Sequence, residues 1–191
     1  MIVLTENLFN EFPVLETKEL YLRKTNFSDS QDLFEIVSDA EVANFDWYEP
    51  VENVQKAKEI FLAEYEKAFD SREEITWGIT EKKSAKLIGI ACIGDFDEYN
   101  SRCVIGYYLN KSFWNRGYMT QTVMEIVNFI FNKTSLNRIE AFITTGNDSS
   151  VRMLEKAGFT KEGITRQRDF IKGEFVDSVV MGILKKDITN R

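Results

Sequence analysis

The chain is 191 residues long, with 24 basic and 31 acidic side chains, a net charge of −7 and no histidine. That composition excludes a histidine-based triad, histidine-ligated zinc and a histidine general base; no metal is expected. It argues against broad nucleic-acid binding and is compatible with a cationic substrate, although solubility alone explains an acidic surface equally well.

The length suits a single domain over residues 1–191, and no run approaches the ~18 uninterrupted apolar residues of a membrane span. The opening Met1-Ile2-Val3-Leu4-Thr5-Glu6 carries an acid where a secretory signal carries basic residues, so a cytoplasmic location is expected. Leu20-Tyr21-Leu22-Arg23 reads as a first strand. Ser28-Asp29-Ser30-Gln31 has the spacing of a capping box that opens a helix to about Val37. Phe61, Tyr65 and Phe69 recur every fourth residue and mark a second helix.

Residues 76–80 and 86–93 read as two strands across a polar turn, and residues 102–109 as a fourth. Cys92 and Cys103 lie in these apolar runs, where they read as buried free thiols of a reducing compartment. Met119, Val123, Ile126, Val127 and Ile130 form the buried stripe of a third helix. Residues 138–144 alternate as a fifth strand, and residues 149–156 form a short helix stopped by Gly158. Residues 159–168 and 175–184 make a closing hairpin that turns at Lys172-Gly173. This order predicts an α+β fold with a mixed, mostly antiparallel sheet of about seven strands and about four flanking helices.

The stretch Trp114-Asn115-Arg116-Gly117-Tyr118-Met119-Thr120-Gln121 joins the fourth strand to the third helix. A flexible turn opening a helix presents free backbone N–H groups at the positive end of the helix dipole, where a pyrophosphate fits. An ordinary strand-to-helix turn needing one glycine is the plain alternative.

Four blocks then stand in order. They are Leu15-Glu16-Thr17-Lys18-Glu19-Leu20-Tyr21-Leu22-Arg23; Ile105-Gly106-Tyr107-Tyr108-Leu109 with Trp114-Asn115-Arg116-Gly117-Tyr118; Asn147-Asp148-Ser149-Ser150 with Leu154-Glu155-Lys156-Ala157-Gly158-Phe159; and Gly173-Glu174-Phe175-Val176-Asp177. On these residues the chain resembles the GCN5-related N-acetyltransferases (GNAT), most closely their ribosomal-protein alanine acetyltransferase branch of the RimJ/RimL type. The likeness runs from about Phe12 to Leu184.

The resemblance implies the GNAT fold, with its fourth and fifth strands splayed apart by a bulge near Gly106-Tyr107-Tyr108. It implies acetyl-CoA as donor and a primary amine as acceptor. The acceptor would be a protein or peptide N-terminus, such as that of a ribosomal protein, attacking directly in a ternary complex. A small-molecule amine (a polyamine, an amino acid or an aminoglycoside) is an alternative, as is a non-catalytic acyl-CoA-binding module. The protein would be a monomer or a homodimer.

Residue by residue, the resemblance seats the pyrophosphate on the backbone N–H groups of Arg116, Gly117, Tyr118, Met119, Thr120 and Gln121. Met119 stands where relatives have a small residue, and Gln121 where many have Glu. Tyr107, Tyr108 and Leu109 line the pantetheine slot, with the Tyr108 N–H as oxyanion donor. Asn147 holds the pantetheine arm, and the Ser150 hydroxyl protonates the leaving thiolate; both residues also suit helix capping. Asp169 stands where the branch carries a proton-accepting Glu, and a solvated hairpin carboxylate is the other reading. Asp46, Trp47 and Tyr48, with the acids Asp95, Asp97 and Glu98, would shape the acceptor's entrance.

Overall fold

A computed structural model describes residues 5–189. Its frame is an eight-stranded sheet of β1 (Leu15–Glu16), β2 (Leu20–Lys24), β3 (Ile75–Glu81), β4 (Leu87–Asp97), β5 (Arg102–Leu109), β6 (Arg138–Thr144), β7 (Thr160–Ile171) and β8 (Glu174–Leu184). They lie in the order β1-β2-β3-β4-β5-β6-β8-β7. Every neighbouring pair is antiparallel except β5 and β6, which are parallel. The expected strands are all present. The added one, β1, is two residues held against Leu22 and Tyr21 and is too short to show a period of its own. The fourth and fifth strands of the sequence reading are therefore β5 and β6.

Alternation along the strands loads both faces of the sheet. On one face Trp77, Ile79, Ile88 and Ile93 pack under α5 (Tyr118–Lys133) and α6 (Asp148–Ala157). The stripe Met119, Val123, Ile126, Val127 and Ile130 is buried there as the 3.6-residue period requires. On the other face Leu87 and Ile90 pack under α1 (Ser30–Val37), α2 (Ala40–Ala43) and α3 (Val54–Ala57). From α3 the chain runs through one turn of π-helix, Lys58–Leu62, into α4 (Ala63–Asp70). The chain closes with α7 (Lys185–Thr189).

The expected capping box at Ser28 lies two residues earlier. Asn26 accepts from the Ser28 N–H and the Asp29 carboxylate accepts from the Asn26 N–H, around a 3-10 turn that precedes α1. Asp29 is suited to this because Arg23 also grips it through both guanidinium nitrogens, at 2.8 and 2.7 Å. The β7–β8 hairpin turns at Lys172 and Gly173 as expected, both with positive φ, the two-residue turn whose twist matches that of the strands. Cys92 and Cys103 are unbridged. Among the described residues no helix is long and apolar enough to cross a membrane, and no side-chain cluster suits a metal ion.

Candidate active site

β5 and β6 run side by side only at Arg102 with Arg138, Cys103 with Ile139 and Val104 with Glu140. From Ile105 onward β5 parts from β6, which stays paired with β8 as far as Thr144 and Ser178. A slot opens between them at the carboxyl end of β5. The expected bulge is elsewhere: β5 keeps unbroken register with β4 from Val104 to Leu109, and the irregularity lies in β4 between Gly94 and Asp97.

That unbroken register decides which amides face the slot. The Asn110 N–H donates to the Ile88 carbonyl, and Tyr108 pairs with Ile90. Because backbone groups alternate sides along a strand, the Tyr108 amide is turned toward β4 and those of Tyr107 and Leu109 toward the slot. The oxyanion donor expected at Tyr108 is therefore misplaced by one residue. The Leu109 carbonyl on that edge accepts from the Trp114 indole N–H at 2.8 Å, a contact that the sequence did not foreshadow.

Beyond Trp114 the chain reaches Gly117 with φ +76°, and α5 begins without a side-chain cap. The amides of Gly117, Tyr118, Met119 and Thr120 make no hydrogen bond among the described residues, while that of Gln121 donates to the Gly117 carbonyl. The expected cradle therefore ends at Thr120. A Cβ on Gly117 would meet nothing within 4 Å, so the backbone there is open to a ligand. Met119 turns its side chain into the core, leaving its size irrelevant to the outer surface. Tyr118 likewise points inward and donates to Glu81 at 2.9 Å. Donation from Ser84 and then from Tyr118 holds the Glu81 carboxyl below its ordinary range. Arg116 lies over the Phe113 ring and donates to the Ser112 carbonyl. Gln121 ties α5 to the first hairpin through Thr17 and Glu19.

Across the slot, Asn147 caps α6 by accepting from the Ser150 N–H at 3.2 Å and from the Ser149 hydroxyl. Its side-chain nitrogen has no partner among the described residues, while its backbone amide donates to the Thr144 carbonyl. The buried Tyr107 hydroxyl faces Ser150 without closing a hydrogen bond of normal geometry, and burial pushes that phenol well up. The tip of α6 and the end of β5 therefore meet at Tyr107 and Ser150. Replacing Asn147 with alanine is expected to cost about 1 kcal/mol of stability through the lost cap. Urea unfolding reads this directly, and an unchanged midpoint would remove the capping role.

The other side of the slot is closed by the loop after α2. Trp47 is 63% exposed, whereas Tyr48 is buried in the second core with an unpartnered hydroxyl. Tyr48 therefore forms an inner wall of this region. Burial raises the Asp46 carboxyl above its usual range, against the opposing Trp47 amide and Lys172 charge. The Tyr108 ring reaches under this loop, where its hydroxyl is hydrogen-bonded to that of Tyr65.

Asp169 is held by Arg168 at 2.6 Å and Ser178 at 2.7 Å, so both its oxygens already have partners. Lys172, at the hairpin tip, donates to the Ala43 carbonyl at 2.7 Å and brings hairpin and loop together. Asp97 and Glu98 sit at the β4–β5 turn, at the opposite end of β5 from the slot, where they bind Arg102 and Thr5. They cannot shape the entrance. A concavity of about 760 Å³ lined by Ile164, Thr165, Arg166, Gln167 and Asp177 lies over the irregular part of β7 and not in the slot. The slot is singled out instead by its unpaired amides.

The acetyltransferase (GNAT) domain family matches residues 19–160. Uncharacterized N-acetyltransferase YoaA of Bacillus subtilis is 30% identical over 174 residues, covering 91% of this chain and 98% of that protein. Among solved structures, the ribosomal-protein-S5-alanine acetyltransferase of Vibrio fischeri superposes with a TM-score of 0.76 at 18% identity, over 92% of this chain and 98% of its own. RimL, a ribosomal L7/L12 α-N-protein acetyltransferase solved with coenzyme A, does so with a TM-score of 0.78 at 18% identity, over 90% and 98%. These two likenesses are of fold.

Proposed function

Because this chain belongs to the GNAT family and is an acetyltransferase, we propose that it transfers the acetyl group of acetyl-CoA to a primary amine, the α-amino group of a protein or peptide N-terminus of the ribosomal-protein kind. The observation that carries this reading is the pairing of two sets of free amides, those of Tyr107 and Leu109 on the β5 edge of the slot and those of Gly117 to Thr120 at the first turn of α5. The amides of Gly117 to Thr120 suit the two phosphates, and those of Tyr107 and Leu109 suit an extended pantetheine lying where β6 has withdrawn.

In this reading the Tyr107 amide receives the negative charge that develops on the thioester oxygen, a contribution of ~3 kcal/mol for a donor of this kind. The amine attacks directly. A covalent detour through a cysteine is disfavoured, because burial pushes the thiols of Cys92 and Cys103 well up and away from thiolate. Ser150 gives its proton to the departing sulfur and regains one from solvent. Replacing Ser150 with alanine is expected to lower kcat by about 100-fold with acetyl-CoA affinity unchanged. An unaltered kcat would take Ser150 out of the chemistry.

The choice of an α-amino acceptor rests on acidity. Such a group has a pKa near 8 and is about one-tenth neutral at pH 7, whereas a lysine side chain near 10.4 is neutral in only about one molecule in a few thousand. A site without histidine favours the former. The two unbridged cysteines support a reducing, cytoplasmic setting. Calorimetric titration with acetyl-CoA, followed by mass spectrometry of products from alanine- and serine-initiated peptides, polyamines and aminoglycosides, tests the reading. No binding up to millimolar acetyl-CoA would sink it, and faster turnover of a polyamine than of any peptide would sink the N-terminal acceptor.

A further inference from the structure

On the sheet face that carries α1 to α4, the floor beside the slot is hollowed by Gly94 and Cys92 of β4 and Gly106 of β5. A Cβ on Gly106 would meet only the Cys92 sulfur, at 3.1 Å, and one on Gly94 would press on the Glu74 side chain at 3.3 Å. Although β4 and β5 are central strands, Cys92, Gly106 and Tyr108 remain partly exposed. The hollow is therefore a trough that is not fully closed to solvent.

Glu74 stands at one end, just before β3, with its stem laid along Gly94. Tyr65 and Tyr108, joined hydroxyl to hydroxyl, form its side. At the other end is Tyr48, 4% exposed, whose hydroxyl has no partner, and beyond it Asp46. A buried hydroxyl left unpaired costs ~1–3 kcal/mol unless something binds there. One Glu74 oxygen accepts from Thr76 at 2.5 Å, and among the described residues no lysine or arginine pairs with this carboxylate. The groups facing it are Thr76 on β3, the Cys92 thiol on β4, which lies within hydrogen-bonding reach of it, and Tyr65 on α4. Burial first, and the Glu74 charge after it, push the Cys92 thiol up, and burial pushes the Tyr65 phenol up against the hydrogen bond from Tyr108.

We propose that this trough seats the acceptor, with its ammonium on the Glu74 carboxylate, and that Glu74 takes the proton that frees the amine to attack. The inference rests on the acetyltransferase reading of the adjoining slot. The ammonium loses one proton to Glu74, which later releases it to solvent. The N–C bond forms as the C–S bond breaks, and the proton lost by the new amide nitrogen balances the one gained by sulfur. Asp169, the acid expected in this role, is already paired with Arg168 and Ser178, whereas Glu74 has no cation.

The test uses an alanine-initiated hexapeptide and the full chain. Glu74→Gln is expected to lower kcat about 100-fold or more, with Glu74→Asp recovering part of the loss. Acetyl-CoA affinity should be unchanged in each variant, which shows that the donor side is folded. A kcat within about threefold of wild type, or a loss confined to KM, would overturn the role. Calorimetric titration of the CoA-bound protein with the same peptide needs no turnover, and Glu74→Gln is expected to bind about tenfold more weakly. Equal affinities overturn the trough. Glu74-dependent binding in a wild type that transfers no acetyl supports the trough and sinks only the transfer reading.

Discussion

Replacing Gly117 with valine is expected to raise the Kd for acetyl-CoA about 100-fold or more, a loss of ~2.7 kcal/mol, measured by calorimetric titration. Two causes act together. At φ +76° the residue occupies the left-handed region, which costs an ordinary residue ~1–2 kcal/mol and a β-branched one more. The backbone would relax by re-aiming the amides of Tyr118, Met119 and Thr120, whose convergence is what an anion needs. The valine methyls would also occupy the empty space above the turn. Gly117→Ala separates the two causes, since it adds most of the strain and little of the bulk. About a tenfold loss is expected for it. A valine variant that binds as wild type would mean that the α5 start is only a turn.

The largest expected effect on stability is at Trp77. It is fully buried in β3, its ring lies 6.3 Å from that of Phe12 and 6.2 Å from that of Phe129, and its indole N–H donates to the Pro13 carbonyl at 2.7 Å. It thereby holds the segment before β1 onto the sheet. Trp77→Ala removes that packing and leaves the Pro13 carbonyl without its donor, and is expected to cost ~3–5 kcal/mol. Against a total of ~5–15 kcal/mol for a typical domain, this lowers the urea midpoint steeply. Trp77→Phe keeps most of the packing and should cost less than half as much. A loss below about 1.5 kcal/mol for the alanine variant would show that the site collapses around the gap.

Long periodic elements were legible from residues alone. The stripe from Met119 to Ile130 needed only its spacing, and the hairpin tip at Lys172-Gly173 only its turn chemistry. What escaped was whatever depends on partners distant in sequence. β1 exists because Leu22 and Tyr21 are already in place to pair with it. The Tyr108 amide was assigned to the slot because a bulge was expected, and only the β4 register reveals that its neighbours Tyr107 and Leu109 face that way. Gln121 looked like the end of an amide cradle until the ordinary helical bond to Gly117 was seen to use its N–H. Tyr65 was visible only as a helical stripe residue, and its meeting with Tyr108 spans 43 positions. Glu74 carries no sequence signal at all. It matters because two glycines on neighbouring strands clear a path beside it.

The parting of β5 from β6 leaves the sheet as two panels sewn together by the pairings of Arg102, Cys103 and Val104. The seam ends where the donor arm is proposed to lie, so that arm would act as a temporary extra strand, supplying from outside the cross-links that the fold omits. Occupancy and cohesion are then one quantity. Ligand that binds the closed sheet and not the separated panels stabilises it by mass action.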